Sequence, residues 1–109
     1  MKIQFKNPAH HTGLNLTVRN GEKWYNMATI NTPLEIVRTG DEDHVLLNAH
    51  VVGVYKLDWS AIGQFSNLLV HEHDPSCVTV EGLADAMDRA YGVGEWGPTI
   101  TFVLYSLLR

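Results

Sequence analysis

Arg19 is the residue whose neighbours best suit chemistry. It closes the run Leu14-Asn15-Leu16-Thr17-Val18-Arg19, in which Asn15, Thr17 and Arg19 alternate with apolar side chains. On a strand such alternate side chains stand about 7 Å apart on one face. A planar guanidinium beside a hydroxyl and a carboxamide offers a fork for a phosphate or a base edge, with neutral donors and acceptors next to it. The same three residues also suit an ordinary solvated strand face. A second group, His71-Glu72-His73-Asp74, holds two imidazoles and two carboxyls within four residues. Glu72, His73 and Asp74 are therefore candidates for ligand contact or for acid–base help. Together with His10 and His11 they raise the question of a metal. No histidine pair has the four-residue spacing of a helical zinc site, however, so neither a metal nor another cofactor is expected. Capping or a buried hydrogen bond suits these histidines as well. Lys23, Trp24 and Tyr25 join a cation to two rings, the chemistry of base stacking, although large aromatics beside a turn also serve as lids on a core. Lone Cys77 suits a small packed hydrophobe. There is no P-loop, dinucleotide fingerprint or nucleophile elbow.

These groups must be positioned by strands and helices whose signals are legible. The alternation over residues 14–19 predicts a half-buried strand, closed by the turn pair Asn20-Gly21. Residues 22–28 read as its return strand, anchored by Trp24 and Tyr25, and residues 34–38 as a short strand ended by Thr39-Gly40-Asp41. The longest strand is expected over 45–57, with Val45, Leu47, Ala49, Val51, Tyr55 and Leu57 on one face. Asp58 or Ser60 then caps a helix that carries Ile62, Phe65 and Leu69 inward. Thr79 opens the clearest helix, with Val80, Leu83, Ala84, Met87 and Tyr91 as its apolar stripe and Gly92 as its left-handed stop. Residues 99–108 read as a terminal strand. The expected class is α+β: a small curled mixed sheet or β-barrel with two helices packed on one side.

Composition narrows the field. A chain of 109 residues with 45% apolar residues reads as one globular domain with its own core. A net charge of −4 disfavours broad, non-specific phosphate binding but leaves room for a small basic cleft. The single cysteine precludes an intrachain disulfide. The N-terminus has no signal-like apolar run, and no stretch has the length of a membrane span. A cytoplasmic protein that does not enter the membrane is expected.

Three segments carry a resemblance. The strand Leu14-Asn15-Leu16-Thr17-Val18-Arg19 looks like the strand of ASCH domains that ends in an arginine. Ala49-His50-Val51-Val52-Gly53-Val54-Tyr55, followed by residues 59–69, is similar to their long strand and first helix. Glu72-His73-Asp74-Pro75-Ser76-Cys77-Val78-Thr79, with Gly82-Leu83 and Ala90-Tyr91, resembles the loop and second helix of small bacterial and phage members, and Thr99-Ile100-Thr101-Phe102 their last strand. The resemblance implies a PUA-like barrel with a cleft between sheet and helices, and RNA or a nucleotide as ligand. Some small ASCH proteins remove an acyl group from acetylated cytidine with a lysine, a threonine and a loop glutamate. Thr17 stands at the threonine, Leu14 occupies the lysine position, and Glu72 and Asp74 lie near the glutamate. The leading expectation is an RNA- or nucleotide-binding module. The alternatives are a small hydrolase, either an amidohydrolase on acylated nucleosides or a ribonuclease, and a phage-type module that binds a protein partner.

Overall fold

A computed structural model describes residues 1–7 and 9–108. Its frame is a five-stranded mixed sheet curled into a half-barrel. The strands are β1 (Lys2–Phe5), β2 (Leu14–Asn20), β3 (Pro33–Arg38), β4 (Asp41–Asp58) and β5 (Thr99–Leu107), in the spatial order β1-β3-β4-β5-β2. β3 and β4 form a hairpin across Thr39-Gly40, where Gly40 takes the positive φ of 91° that glycine adopts without a steric penalty. β5 lies between β4 and β2 and is antiparallel to both, whereas β1 runs parallel to β3.

The sheet buries both faces. On the convex face, Leu16, Val18, Ile100, Phe102 and Leu104 pack under Ile62, Leu69, Leu83 and Met87. The concave face gathers Ile3, Phe5, Leu34, Ile36, Ala49, Val51, Val103 and Tyr105. Side chains alternate between faces along a strand, so β5 supplies both cores and reads as a nearly continuous apolar run.

Short helices complete the α+β fold: α1 (Lys23–Met27), α2 (Ser66–Leu69) and α3 (Val80–Tyr91). A 3₁₀ segment over Trp59–Phe65 precedes α2, capped by Asp58, whose carboxylate accepts the Ser60 N–H at 2.9 Å. Ile62 and Leu69 are buried, and Phe65 meets Phe102 edge to face. The α3 cap is Thr79, whose hydroxyl accepts the Gly82 N–H at 3.1 Å. Leu83 and Met87 carry the buried stripe, while Tyr91 stays 40% exposed and accepts the Asn20 N–H at its hydroxyl. No helix of the described residues is long and apolar enough to cross a membrane.

Two expectations are corrected. Residues 22–28 do not form a return strand; Lys23–Met27 is helix α1. Both edges of β2 are already engaged, one by β5 and the other by a bridge from Leu16 to Glu72. Trp24 and Ala28, four residues apart, instead reach the concave core together, which is helical spacing. In β4 the apolar set does not stay on one face. A bulge between Val51 and Gly53 shifts the alternation, so Val54 continues the concave core while Leu57 packs on the convex side and Tyr55 is exposed.

Candidate functional site

Leu16 and Val18 of β2 face α3, so Asn15, Thr17 and Arg19 point into the concave side. Asn15 is fully buried and Thr17 is 3% exposed. Buried polar groups need partners. The Asn15 carboxamide accepts the His11 N–H at 2.8 Å and donates to the His11 carbonyl at 2.9 Å, lacing the loop before β2 onto the strand.

Arg19 is held from three sides. Its Nε donates to the Thr17 hydroxyl at 3.2 Å, and a terminal nitrogen donates to the Gln4 carbonyl at 2.8 Å. The guanidinium carbon lies 4.8 Å from the centre of the Phe5 ring and 5.9 Å from that of Trp24. Burial pushes its pKa below the ordinary value, against the pull of Tyr91, Tyr105 and Glu72; a guanidinium nevertheless keeps its charge. Two of its five N–H groups are used by these bonds. Among the described residues no carboxylate forms an ion pair with it.

Glu72 reaches the same region because its segment bridges to the edge of β2 that faces away from β5. Leu16 N–H donates to the His71 carbonyl at 2.8 Å, and His73 N–H donates to the Leu16 carbonyl at 2.9 Å. The Glu72 carboxyl is buried, with Oε1 3.3 Å from His73 Nε2 and Oε2 without a hydrogen-bond partner among the described residues. Burial, then the charge of Asp74, pushes its pKa up to about 8, although nearby backbone amides and Arg19 oppose the shift. Burial lowers His73. Its Nδ1 lies 3.1 Å from the Ala9 carbonyl, which can only accept, so Nδ1 carries the proton and Nε2 the lone pair. At neutral pH a protonated Glu72 therefore faces a neutral imidazole, with Oε1 and Nε2 3.3 Å apart.

The remaining polar groups support this pair. Partial burial opposes the charge of Asp74, but the Ser76 amide and hydroxyl hold its carboxyl below the usual range. His11 Nε2 donates to the Glu72 carbonyl at 2.7 Å. His10 Nδ1 lies 2.7 Å from the Tyr105 hydroxyl, and its Nε2 is buried with no partner among the described residues. Burial, then His73 and His11, pushes His10 down to about 4. Burial and Glu72 raise the Tyr105 phenol, so it keeps its proton.

A cavity of about 470 Å³ opens between the end of β1, β2 and α3. It brings together Thr17, Arg19, Glu72, His73 and Asp74, five of the residues singled out in the sequence. Arg89 and Lys6 also line it, so with Glu72 neutral the charged lining is three cations against Asp74. The other three candidates lie elsewhere. Asn15 is a structural tie, Trp24 sits behind Arg19, and Lys23 is exposed on α1. Leu14 packs on the convex core and faces away from Thr17.

Sequence reasoning missed Gln4 and Phe5. Their strand, β1, is four residues long, and its signal is the brief alternation Lys2-Ile3-Gln4-Phe5. The part played by Tyr105 was also hidden, because a tyrosine inside an apolar strand gives no sign of its partner. Among the described residues no three His, Cys, Asp or Glu side chains converge as metal ligands. No family model, curated protein or solved structure matches this chain.

Proposed function

We propose that the cleft binds a nucleotide, free or at the end of a single-stranded RNA, with Arg19 on the phosphate. One observation carries the reading: a partly buried guanidinium, with N–H groups to spare and no carboxylate partner among the described residues, lines a cavity of nucleotide size. A cation partly withdrawn from water gains when an anion meets it, and a guanidinium grips phosphate with two parallel bonds. The volume suits one drug-sized ligand rather than a helix. The Glu72 Oε2, unpartnered among the described residues, can accept an amino or ring N–H of a base. The resemblance to ASCH domains points to the same ligand class.

Calorimetric titration with the four ribonucleoside 5′-monophosphates, a short single-stranded RNA and inorganic phosphate tests this reading. Saturable binding of at least one nucleotide, tighter than phosphate and weakened by salt, is expected. Absence of nucleotide binding overturns it. Equal affinity for phosphate alone reduces the cleft to an anion site and removes the base from the reading.

A further inference from the structure

A second cavity, of about 460 Å³, shares no lining residue with the cleft. It lies where the 3₁₀ segment after β4 meets the turn between α3 and β5, and its walls are Trp59 and Trp96 with Asp58 and Asp88. The two indoles meet edge to face, 4.7 Å apart between centres and inclined at 85°. Trp96 donates its indole N–H to Asp88 Oδ1 at 2.8 Å. The frame is tied down: Trp59 N–H donates to the Pro98 carbonyl at 2.7 Å, and Gly97 N–H donates to the Asn20 side chain at 2.8 Å.

The charge at this site is one-sided. Among the described residues no lysine, arginine or histidine lines it. Asp58 and Asp88 each commit Oδ1 to a neutral N–H, and neither belongs to an ion pair among the described residues. Indole faces are negative, and tryptophan is the best of the aromatic partners for a cation. A hydrogen bond from Trp96 to a carboxylate makes its ring more electron-rich still. A bare ammonium is strongly hydrated and gains little by leaving water. Alkyl groups weaken that hydration and supply the apolar surface that two rings can cover.

We propose that this cavity binds the alkylated ammonium group of a small organic cation, with Trp59 and Trp96 against the alkyl groups and Asp58 and Asp88 balancing the charge. The proposal stands independently of the nucleotide reading of the cleft. A purely structural account, in which the Trp96–Asp88 bond only fastens the turn, leaves the cavity without a ligand.

The test uses the protein's three indole N–H signals in nitrogen–proton correlation spectra, with Trp24 as an internal control. Choline chloride is titrated against 3,3-dimethylbutan-1-ol, which has the same shape without the charge, and against sodium chloride for ionic strength. Choline should shift the Trp59 and Trp96 signals saturably, in the millimolar range, and leave Trp24 in place. The neutral isostere should bind about tenfold more weakly, a difference of about 1.4 kcal/mol. Asp88→Asn keeps an acceptor for the Trp96 N–H and removes the charge; Asp58→Asn does the same at the cap. Each variant should keep the wild-type melting temperature within a few degrees and lose most of the choline affinity. No saturable shift with choline overturns the proposal. So do equal affinity for the neutral alcohol and undiminished choline binding by the folded Asp58→Asn, Asp88→Asn double variant.

Discussion

The Arg19 guanidinium donates to the Gln4 carbonyl at 2.8 Å and so joins the two edge strands of the half-barrel, β2 and β1, which share no ladder. Phe5, the next residue on β1, lies under the same guanidinium. One side chain therefore closes the seam of the sheet and presents its remaining N–H groups to the cleft. The seam and the proposed nucleotide contact meet at this residue, and a variant must be read for both.

Arg19→Ala should weaken nucleotide binding about ten- to hundredfold, the effect of losing a bidentate contact of roughly 1–3 kcal/mol. It should also lower the melting temperature, because the Gln4 carbonyl and the Thr17 hydroxyl lose their donor. Arg19→Lys keeps the charge without the planar fork and should recover part of the affinity. Calorimetry alongside thermal melts separates the roles. A lowered melting temperature with unchanged nucleotide affinity assigns Arg19 to the seam alone.

The raised pKa of Glu72 makes stability depend on pH. Its pKa is about 8 in the folded protein against an ordinary 4.5, so near neutrality the folded state holds a proton that the unfolded state has released. Stability from this group is complete below pH 4.5 and is lost as pH rises through 8. His10 and His73, both lowered, act in the opposite sense, adding stability as pH rises toward 6.5. Between pH 7 and 8 Glu72 dominates, and stability should fall by about 1 kcal/mol across that unit. Glu72→Gln stays neutral throughout and should flatten this slope in urea melts. A variant with the wild-type slope shows that another group titrates there.

Most of the frame was legible because strands and helices announce themselves by period. Residues 14–19 and 99–108 alternate or run apolar as sheet strands do, and the four-residue spacing of Leu83 and Met87 marks α3. The faces were harder to read. The alternation of β2 shows that Asn15, Thr17 and Arg19 lie together, but only the curl of the sheet turns that face inward, where both of its sides are buried. The β4 bulge was invisible because one extra residue changes parity without changing composition. Lys23-Trp24-Tyr25 misled because bulky aromatics favour strands, whereas Trp24 and Ala28 meet the core on one turn of a helix.

The position of Leu14 bears on chemistry. It packs on the convex core, on the opposite side of β2 from Thr17, and it has no group that can act as nucleophile or base. The protein should leave acetylated cytidine intact over hours at micromolar concentration, as followed by chromatography of the released cytidine. Sustained turnover that Thr17→Ala abolishes would place the missing function on another residue of the cleft and make this protein a hydrolase.

The wall of the cleft formed by α3 depends on Gly82. A Cβ built there falls on the backbone carbonyl oxygen of Ser76, in the 3₁₀ turn over Pro75–Cys77. Backbone cannot rotate away as a side chain can, so Gly82→Ala must push α3 off that turn. In an exposed helix interior the same change stabilises by about 1 kcal/mol, because alanine is the better helix former. Here the overlap should reverse the sign and cost about 1–3 kcal/mol, as overpacking does. The displacement also moves Leu83 and Met87, which line the cleft opposite Arg19 and anchor α3 to the convex core. Nucleotide affinity should therefore fall together with stability, although residue 82 does not line the cleft. Urea denaturation gives the sign directly. A Gly82→Ala protein more stable than wild type would mean that α3 does not approach the Ser76 carbonyl closely, and the cleft would then be wider than its 470 Å³.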